Sequence, residues 1–192
     1  RRGTGRRPVS RKAVRSMTSS KARTVAVGGL LLALGVLFPQ VFHLVGGPAA
    51  GGVWLPMHIP VLLGGFFLGP WWGLALGVIT PCLSAFTGMP PLVRLPFMVC
   101  ELAAYGFFAG LTTRRFKLPV WAGLPLAQLA GRLIYALALF VAGSLLHLGA
   151  FSAAAAWTAT VAGLPGIVLQ WILVPLVLLA ARKAGWMQRD GL

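Results

Sequence analysis

The sequence predicts an all-α, polytopic membrane protein with six transmembrane helices and both termini in the cytoplasm. Of its 192 residues, 58% are hydrophobic and 10% are charged, whereas a soluble domain carries about 25% charged residues. Several apolar stretches approach or exceed the roughly 20 residues that span a bilayer. The 17 Lys and Arg residues outnumber two acids, and most of them cluster at the chain ends and in one loop. This distribution is typical of cytoplasmic membrane flanks and argues against nucleic-acid binding.

The apolar stretches define the expected organisation. Residues 1–22 are basic and lack acids, so we expect a disordered cytoplasmic tail. A cleaved signal peptide is the alternative, but the following apolar run, residues 25–45, is too long for one. The membrane domain is expected over residues 23–182, with a short cytoplasmic tail over residues 183–192. Further spans are predicted at residues 92–112, 121–146 and 161–181.

One apolar block, residues 59–86, is interrupted at Gly69 and Pro70. It fits either one kinked helix or two short ones. The basic cluster at residues 114–117 follows the next span, and basic flanks favour the cytoplasm. With the N-terminus inside, an even number of spans must precede this cluster, so we predict two helices and six spans in all. The outward connections are then residues 46–57, 87–91 and 147–160, all rich in Gly, Pro or small residues.

Enzymatic chemistry has little support in the sequence. It contains no G-x-x-x-x-G-K-[ST], G-x-S-x-G or H-E-x-x-H motif, so we expect no ATP hydrolysis, no catalysis and no cofactor. Cys82 and Cys100 lie in apolar stretches and are interpreted as buried small hydrophobic residues. His43, His58 and His147 fall at the outer helix ends. Three imidazoles on one face could bind a metal, but we interpret them as polar helix termini and predict no metal site.

Glu101 and Arg132 each lie near the middle of a predicted span, where an unpaired charge costs at least about 2.5 kcal/mol. Their depths are compatible with a mutual ion pair. Alternatively, Arg132 meets a charged group of a ligand, since its planar fork suits a carboxylate. Both interpretations, the ion pair and the ligand contact, hold if the two side chains form the floor of a cavity. Gln128 and Gln170 are also central, and we favour interhelical hydrogen bonds over ligand contacts for them.

Two tryptophans occupy predicted outer loops. Trp54 lies in the first outer loop and Trp157 in the third. Either can stack on a ligand, and an ordinary place in the interfacial aromatic belt is the competing interpretation.

Small residues recur on the first predicted helix. Gly29 and Ala33 have small-x-x-x-small spacing, which Ala22 and Ala26 repeat just before them. Such spacing lets another helix approach closely. Packing within the chain and contact with a partner subunit both fit this pattern.

Taken together, these features resemble the substrate-binding S component of an energy-coupling-factor (ECF) vitamin transporter. The resemblance covers roughly residues 22–181. Its most specific segments are LPMHIPVLL at 55–63, GGFFLGPWWG at 64–73, TPCLS at 80–84, GMPP at 88–91 and ELAAYG at 101–106.

The resemblance implies a six-helix protein of the bacterial plasma membrane that binds a vitamin or related micronutrient at its outer face. It also implies a transmembrane coupling subunit and two ATPase subunits as partners, with transport by toppling of the S component. Helix one would contact the coupling subunit through Gly29 and Ala33. The implied ligand residues are Trp54, His58, Glu101, Tyr105, Arg132 and Tyr135, and a wider set adds Met89, Arg94 and His147.

We therefore expect substrate capture for an ATP-driven importer. The alternative is a stand-alone ion-coupled secondary transporter that uses Glu101 as its titrating group. An intramembrane enzyme would need Glu101 and His58 to meet in a wet cavity. The substrate stays open: Arg132 favours a carboxylate such as pantothenate, niacin or biotin, but an internal pair with Glu101 would cancel that preference and admit cobalamin or a hydroxymethylpyrimidine.

Overall fold

The computed structural model describes residues 11–47, 49–145 and 153–185, and within these ranges the chain is all-helical, which confirms the predicted fold class. A π-helical turn at Val141–Leu145 directly follows the helix that ends at Phe140. The helices are α1 Arg11–Gly46, α2 Ala50–Trp54, α3 His58–Leu68, α4 Pro70–Ala85, α5 Leu95–Arg114, α6 Val120–Phe140, α7 Ala153–Ala162 and α8 Leu164–Lys183.

Within the described residues, five segments are long and apolar enough to cross a membrane. The remaining long helix, α4, has 16 residues, about 24 Å at 1.5 Å per residue, which is shorter than the roughly 30 Å hydrocarbon core. The count of six spans and the orientation of the termini therefore stay predictions. The five segments are Lys21–Gly46, Ala50–Leu68, Leu95–Arg114, Val120–Ser144 and Leu164–Lys183.

The predicted division of the second apolar block is confirmed. Gly69 ends α3 with φ 102° and ψ 178°, a conformation that residues with a Cβ rarely adopt. Pro70 then begins α4 at a position that needs no backbone N–H donor. The chain therefore turns sharply between two short helices instead of continuing as one kinked helix.

Three segments differ from their expected form. Helix α1 is described from Arg11, so part of the segment expected to be a disordered tail is helical. The proposed domain boundaries stay predictions. The first outer connection contains the short helix α2. The third contains α7, so α8 begins at Leu164, three residues later than expected. The run AAAAWTATVA of α7 is rich in alanine, the residue with the highest helix propensity.

Helix α3 lies at the centre of the bundle. Its residues from His58 to Phe66 are all buried, and the core around it includes Leu102 of α5, Leu124 of α6 and Leu178 of α8. A helix that is apolar on all sides must be surrounded by other helices. The N-terminus of α3 therefore brings His58 into the interior between α5 and α6.

Helices α4 and α5 pack with their backbones in direct contact. A Cβ atom at Gly106 of α5 would overlap the carbonyl group of Gly73 on α4, and one at Gly110 would overlap the backbone of Gly69 and Pro70. Glycines allow this approach because they carry no side chain. The short helix α4 is thereby held along the length of α5, which carries Glu101.

The expected burial of the two cysteines was wrong. Cys82 of α4 is half-buried and Cys100 of α5 is exposed, because each lies on a side of its helix that the neighbouring helices do not fully cover.

Candidate functional site

A cavity of about 950 Å³ lies at one end of the bundle. Its walls come from α2, the start of α3, the segment between α4 and α5, the first half of α5, the second half of α6, and α7. The basic residues Arg114 and Arg182 lie in the last turns of α5 and α8, at the opposite end of the bundle. The positive-inside rule therefore predicts that the cavity faces outward.

A buried cluster of three ionisable side chains forms the floor of this cavity. Arg132 Nη1 lies 2.9 Å from Glu101 Oε1, and His58 Nε2 lies 3.6 Å from the same oxygen. Glu101 is 4% exposed and His58 is 2% exposed. The ion pair compensates two charges that would each be costly alone at this depth. Of the two alternatives that the sequence left open for Arg132, the structure shows the interhelical pair with Glu101.

Tyr105 supports this cluster from behind. Its ring is wholly buried and meets the His58 ring edge-on at a centroid distance of 4.9 Å. Gly131, the residue before Arg132, leaves the space that the Tyr105 ring occupies, since a Cβ there would overlap the ring. Tyr105 does not line the cavity, so its observed contact is with His58, and its contact with a ligand stays a prediction.

Several donor groups at the floor lack a hydrogen bond of good geometry. In the part of the chain that the structure describes, they include Arg132 Nε and Nη2 and both ring nitrogens of His58. Buried polar groups are normally satisfied by protein, water or ligand. Arg132 contacts Glu101 through Nη1, and its guanidinium carries further N–H donors. A ligand with oxygen or nitrogen acceptors would satisfy them.

The wall and mouth of the cavity are mostly apolar. Met89, Phe97 and Met98 line it together with prolines of the segment between α4 and α5. Arg94 also lines it and is exposed. Because Glu101 and Arg132 neutralise each other, Arg94 supplies the excess charge among the described lining residues. The site thus combines an electroneutral polar floor, an apolar wall and a cation at the mouth.

A model of the family "ECF transporter, substrate-specific component" matches residues 23–178, most of the chain. The chain belongs to this family. It is therefore the substrate-binding subunit of a transporter and a membrane protein, as the sequence features predicted. None of the curated proteins and none of the solved structures matches it.

The structure of this S component brings together most of the predicted ligand residues. His58, Glu101, Arg132 and Tyr135 all line the cavity. Trp54 does not: its side chain is 40% exposed and its ring lies 6.4 Å from that of Phe42. The neighbours of Trp54 line the cavity instead, because the α2 backbone turns its indole away. The geometry thus gives no support to stacking of Trp54 on a ligand.

The wider set of predicted residues is only partly described. Met89 and Arg94 line the cavity, whereas His147 lies outside the described residues. Trp157 of α7 is 72% exposed and does not line the cavity. Among the residues that the structure describes, no three His, Cys, Asp or Glu side chains form a metal-binding group.

Some lining residues were missed by sequence reasoning. Phe97 and Met98 precede Glu101 by four and three positions on α5, so the helical period places them on its face. That spacing was a signal that could have identified them. Thr158 and Ala159 of α7 also line the cavity, but no signal marked them because their segment was expected to be a loop.

The two central glutamines stabilise the bundle. Gln128 Nε2 donates to Gln170 Oε1 at 2.9 Å, and Trp171 Nε1 donates to Gln128 Oε1 at 2.6 Å. These bonds join α6 to α8, and neither glutamine lines the cavity. The predicted role in interhelical hydrogen bonding is confirmed.

Proposed function

We propose that this S component captures a vitamin or related micronutrient in the outward cavity. It would then deliver the ligand inward with a transmembrane coupling subunit and two ATPase subunits in a bacterial plasma membrane. The observation that carries this proposal is the cavity itself, whose floor is the buried cluster of His58, Glu101 and Arg132.

The size and lining of the cavity suit a small molecule. Its volume of about 950 Å³ is near the upper end of the roughly 300–1,000 Å³ found for small-molecule pockets. An apolar wall with few polar groups is the usual composition of such sites. The spare donors of Arg132 favour ligands that place acceptors at the floor, because a ligand without them would leave buried donors unpaired.

The pairing of Arg132 with Glu101 changes the argument about ligand charge. A carboxylate at the floor would compete with Glu101 for the same guanidinium, so the preference for an anionic ligand no longer follows from Arg132. A carboxylate would instead find its cation in Arg94 at the mouth. Both anionic and neutral vitamins therefore belong in the binding test.

The test is a titration of the purified chain, without partners, with pantothenate, niacin, biotin, cobalamin and a hydroxymethylpyrimidine. We expect one compound to bind saturably at submicromolar concentration, followed by tryptophan fluorescence or calorimetry. Proteoliposomes containing the chain alone should show no uptake of that compound driven by proton or sodium gradients. Gradient-driven uptake by the chain alone would overturn the proposal in favour of an ion-coupled carrier, and so would a folded chain that binds none of the compounds.

The contact with the coupling subunit is assigned to the small-residue face of α1, formed by Ala22, Ala26, Gly29 and Ala33. All four residues are exposed, and a Cβ at Gly29 would meet nothing within 4 Å. The face is therefore not used for packing within the described chain. A smooth, exposed strip on a membrane helix is suited to close approach by a helix of another subunit.

Adjacent glycines on α1 provide a matched test of this contact. Gly29→Leu should leave the unfolding temperature and ligand affinity unchanged while reducing co-purification of the coupling subunit severalfold, because the new side chain points outward. Gly28→Leu should instead lower the unfolding temperature, since a Cβ at Gly28 already lies 3.0 Å from the Trp72 ring. Equal destabilisation by both substitutions would show that the Gly29 face packs inside the protein.

A further inference from the structure

A second cavity, of about 1,070 Å³, lies at the basic end of the bundle. It is a groove between α1 and α8 whose base is α3, and its walls are formed by aliphatic and aromatic side chains. They include Leu30, Leu34, Leu63, Phe66 and Val177. The groove is distinct from the outward cavity, with which it shares no lining residue.

Four cations, Arg23, Arg114, Lys117 and Arg182, also line this groove. Arg114 is held at its edge, where Nη2 donates to the carbonyl oxygen of Phe67 at 3.2 Å. The Nε atom of Arg182 is buried and has no hydrogen-bond partner in the described part of the chain. No acidic side chain lines the groove among the described residues.

We propose that the groove binds one anionic phospholipid, with an acyl chain between α1 and α8 and the phosphate among the four cations. Under the positive-inside rule this end faces the cytoplasm, and basic pockets between helices on that side suit anionic headgroups. The apolar walls match an acyl chain, and the excess of positive charge selects against the zwitterionic choline headgroup. This inference does not depend on the vitamin-binding proposal.

A helix of the coupling subunit is the other conceivable occupant. The small-residue face of α1 contributes no residue to the groove, so the surface assigned to that subunit lies on another side of the same helix. A described lining with an excess of positive charge also fits a phosphate better than an apolar helix. The excess of positive charge therefore favours an anionic phospholipid over a helix of the coupling subunit as the occupant of the groove.

The proposal is tested by native mass spectrometry of the full chain after equilibration with equal amounts of phosphatidylglycerol and phosphatidylcholine. The chain should retain one phosphatidylglycerol in preference to phosphatidylcholine. Arg182→Gln and Lys117→Gln should each lower this preference about fivefold, since a basic residue near anionic lipid contributes about 1 kcal/mol. Ala180→Trp, which fills the groove from α8, should abolish retention of either lipid.

Lys183→Gln is the matched control. Lys183 is exposed, follows Arg182 directly and does not line the groove, so its loss removes the same charge outside the site. If Lys183→Gln and Arg182→Gln lowered the preference for phosphatidylglycerol equally, general surface charge would explain the effect and the proposal would be overturned. Equal retention of both lipids by the unmodified chain would also overturn it, as would cross-linking of a cysteine at position 180 to the coupling subunit with no lipid retained.

Discussion

Removing one partner of the Glu101–Arg132 pair is expected to destabilise the protein more than removing both. Arg132→Met leaves a carboxylate at a residue that is 4% exposed, and Glu101→Gln leaves the guanidinium without its counter-charge. Breaking a buried pair in this way costs about 3–5 kcal/mol. The double variant Glu101→Gln/Arg132→Met contains neither charge, and we expect most of the lost stability to return.

Ligand binding should respond differently from stability. The double variant lacks the spare donors of Arg132, so it should fold and still fail to bind the ligand identified by titration. Unfolding temperature in one detergent and ligand affinity are the two measurements. Arg94→Met serves as a stability control, because Arg94 is exposed at the mouth. If the double variant were as unstable as the single ones, the pair would not be the source of the loss; if it bound ligand with full affinity, the floor would not be the binding site.

Arguments that depend on charge and helix length predicted two features of the structure from the sequence. A mutual ion pair of Glu101 and Arg132 was one of the two arrangements expected, because an unpaired charge is costly in the membrane, and the two side chains lie 2.9 Å apart. An even number of spans had to precede the basic loop for it to lie in the cytoplasm, which required a break in the second apolar block at Gly69. The chain adopts φ 102° at that residue. In both cases one strong energetic requirement left few alternatives.

Side-chain direction and short outer helices were not predictable in the same way. Whether Trp54 faces the cavity depends on how α2 sits on α8, where Gly166 packs against the Trp54 backbone, and no local pattern encodes that contact. The role of α7 was missed because Gly, Ala and Ser in an outer segment were interpreted as a loop. His58 joined the charged pair through the central position of α3, which follows from the packing of several helices.

A large effect of a single added methyl group is expected for Gly106→Ala. The new Cβ would overlap the backbone carbonyl of Gly73, and backbone cannot move aside as a flexible side chain can. Overpacking of this kind typically costs about 1–3 kcal/mol and sometimes more. Here α4 and α5 must separate, so we expect a lower unfolding temperature.

Ligand affinity should fall as well, because Gly106 lies on the same helix as Glu101, five residues further along. A shift of α5 moves Glu101 relative to Arg132 and His58, which belong to α6 and α3. Gly29→Ala is the matched control: it is the same substitution in a helix, but its Cβ meets nothing within 4 Å. It should keep or slightly raise stability, since alanine favours a helix over glycine. Equal unfolding temperatures for Gly106→Ala and the unmodified protein would mean that the two backbones do not touch, and the rigid placement of Glu101 would then need another source.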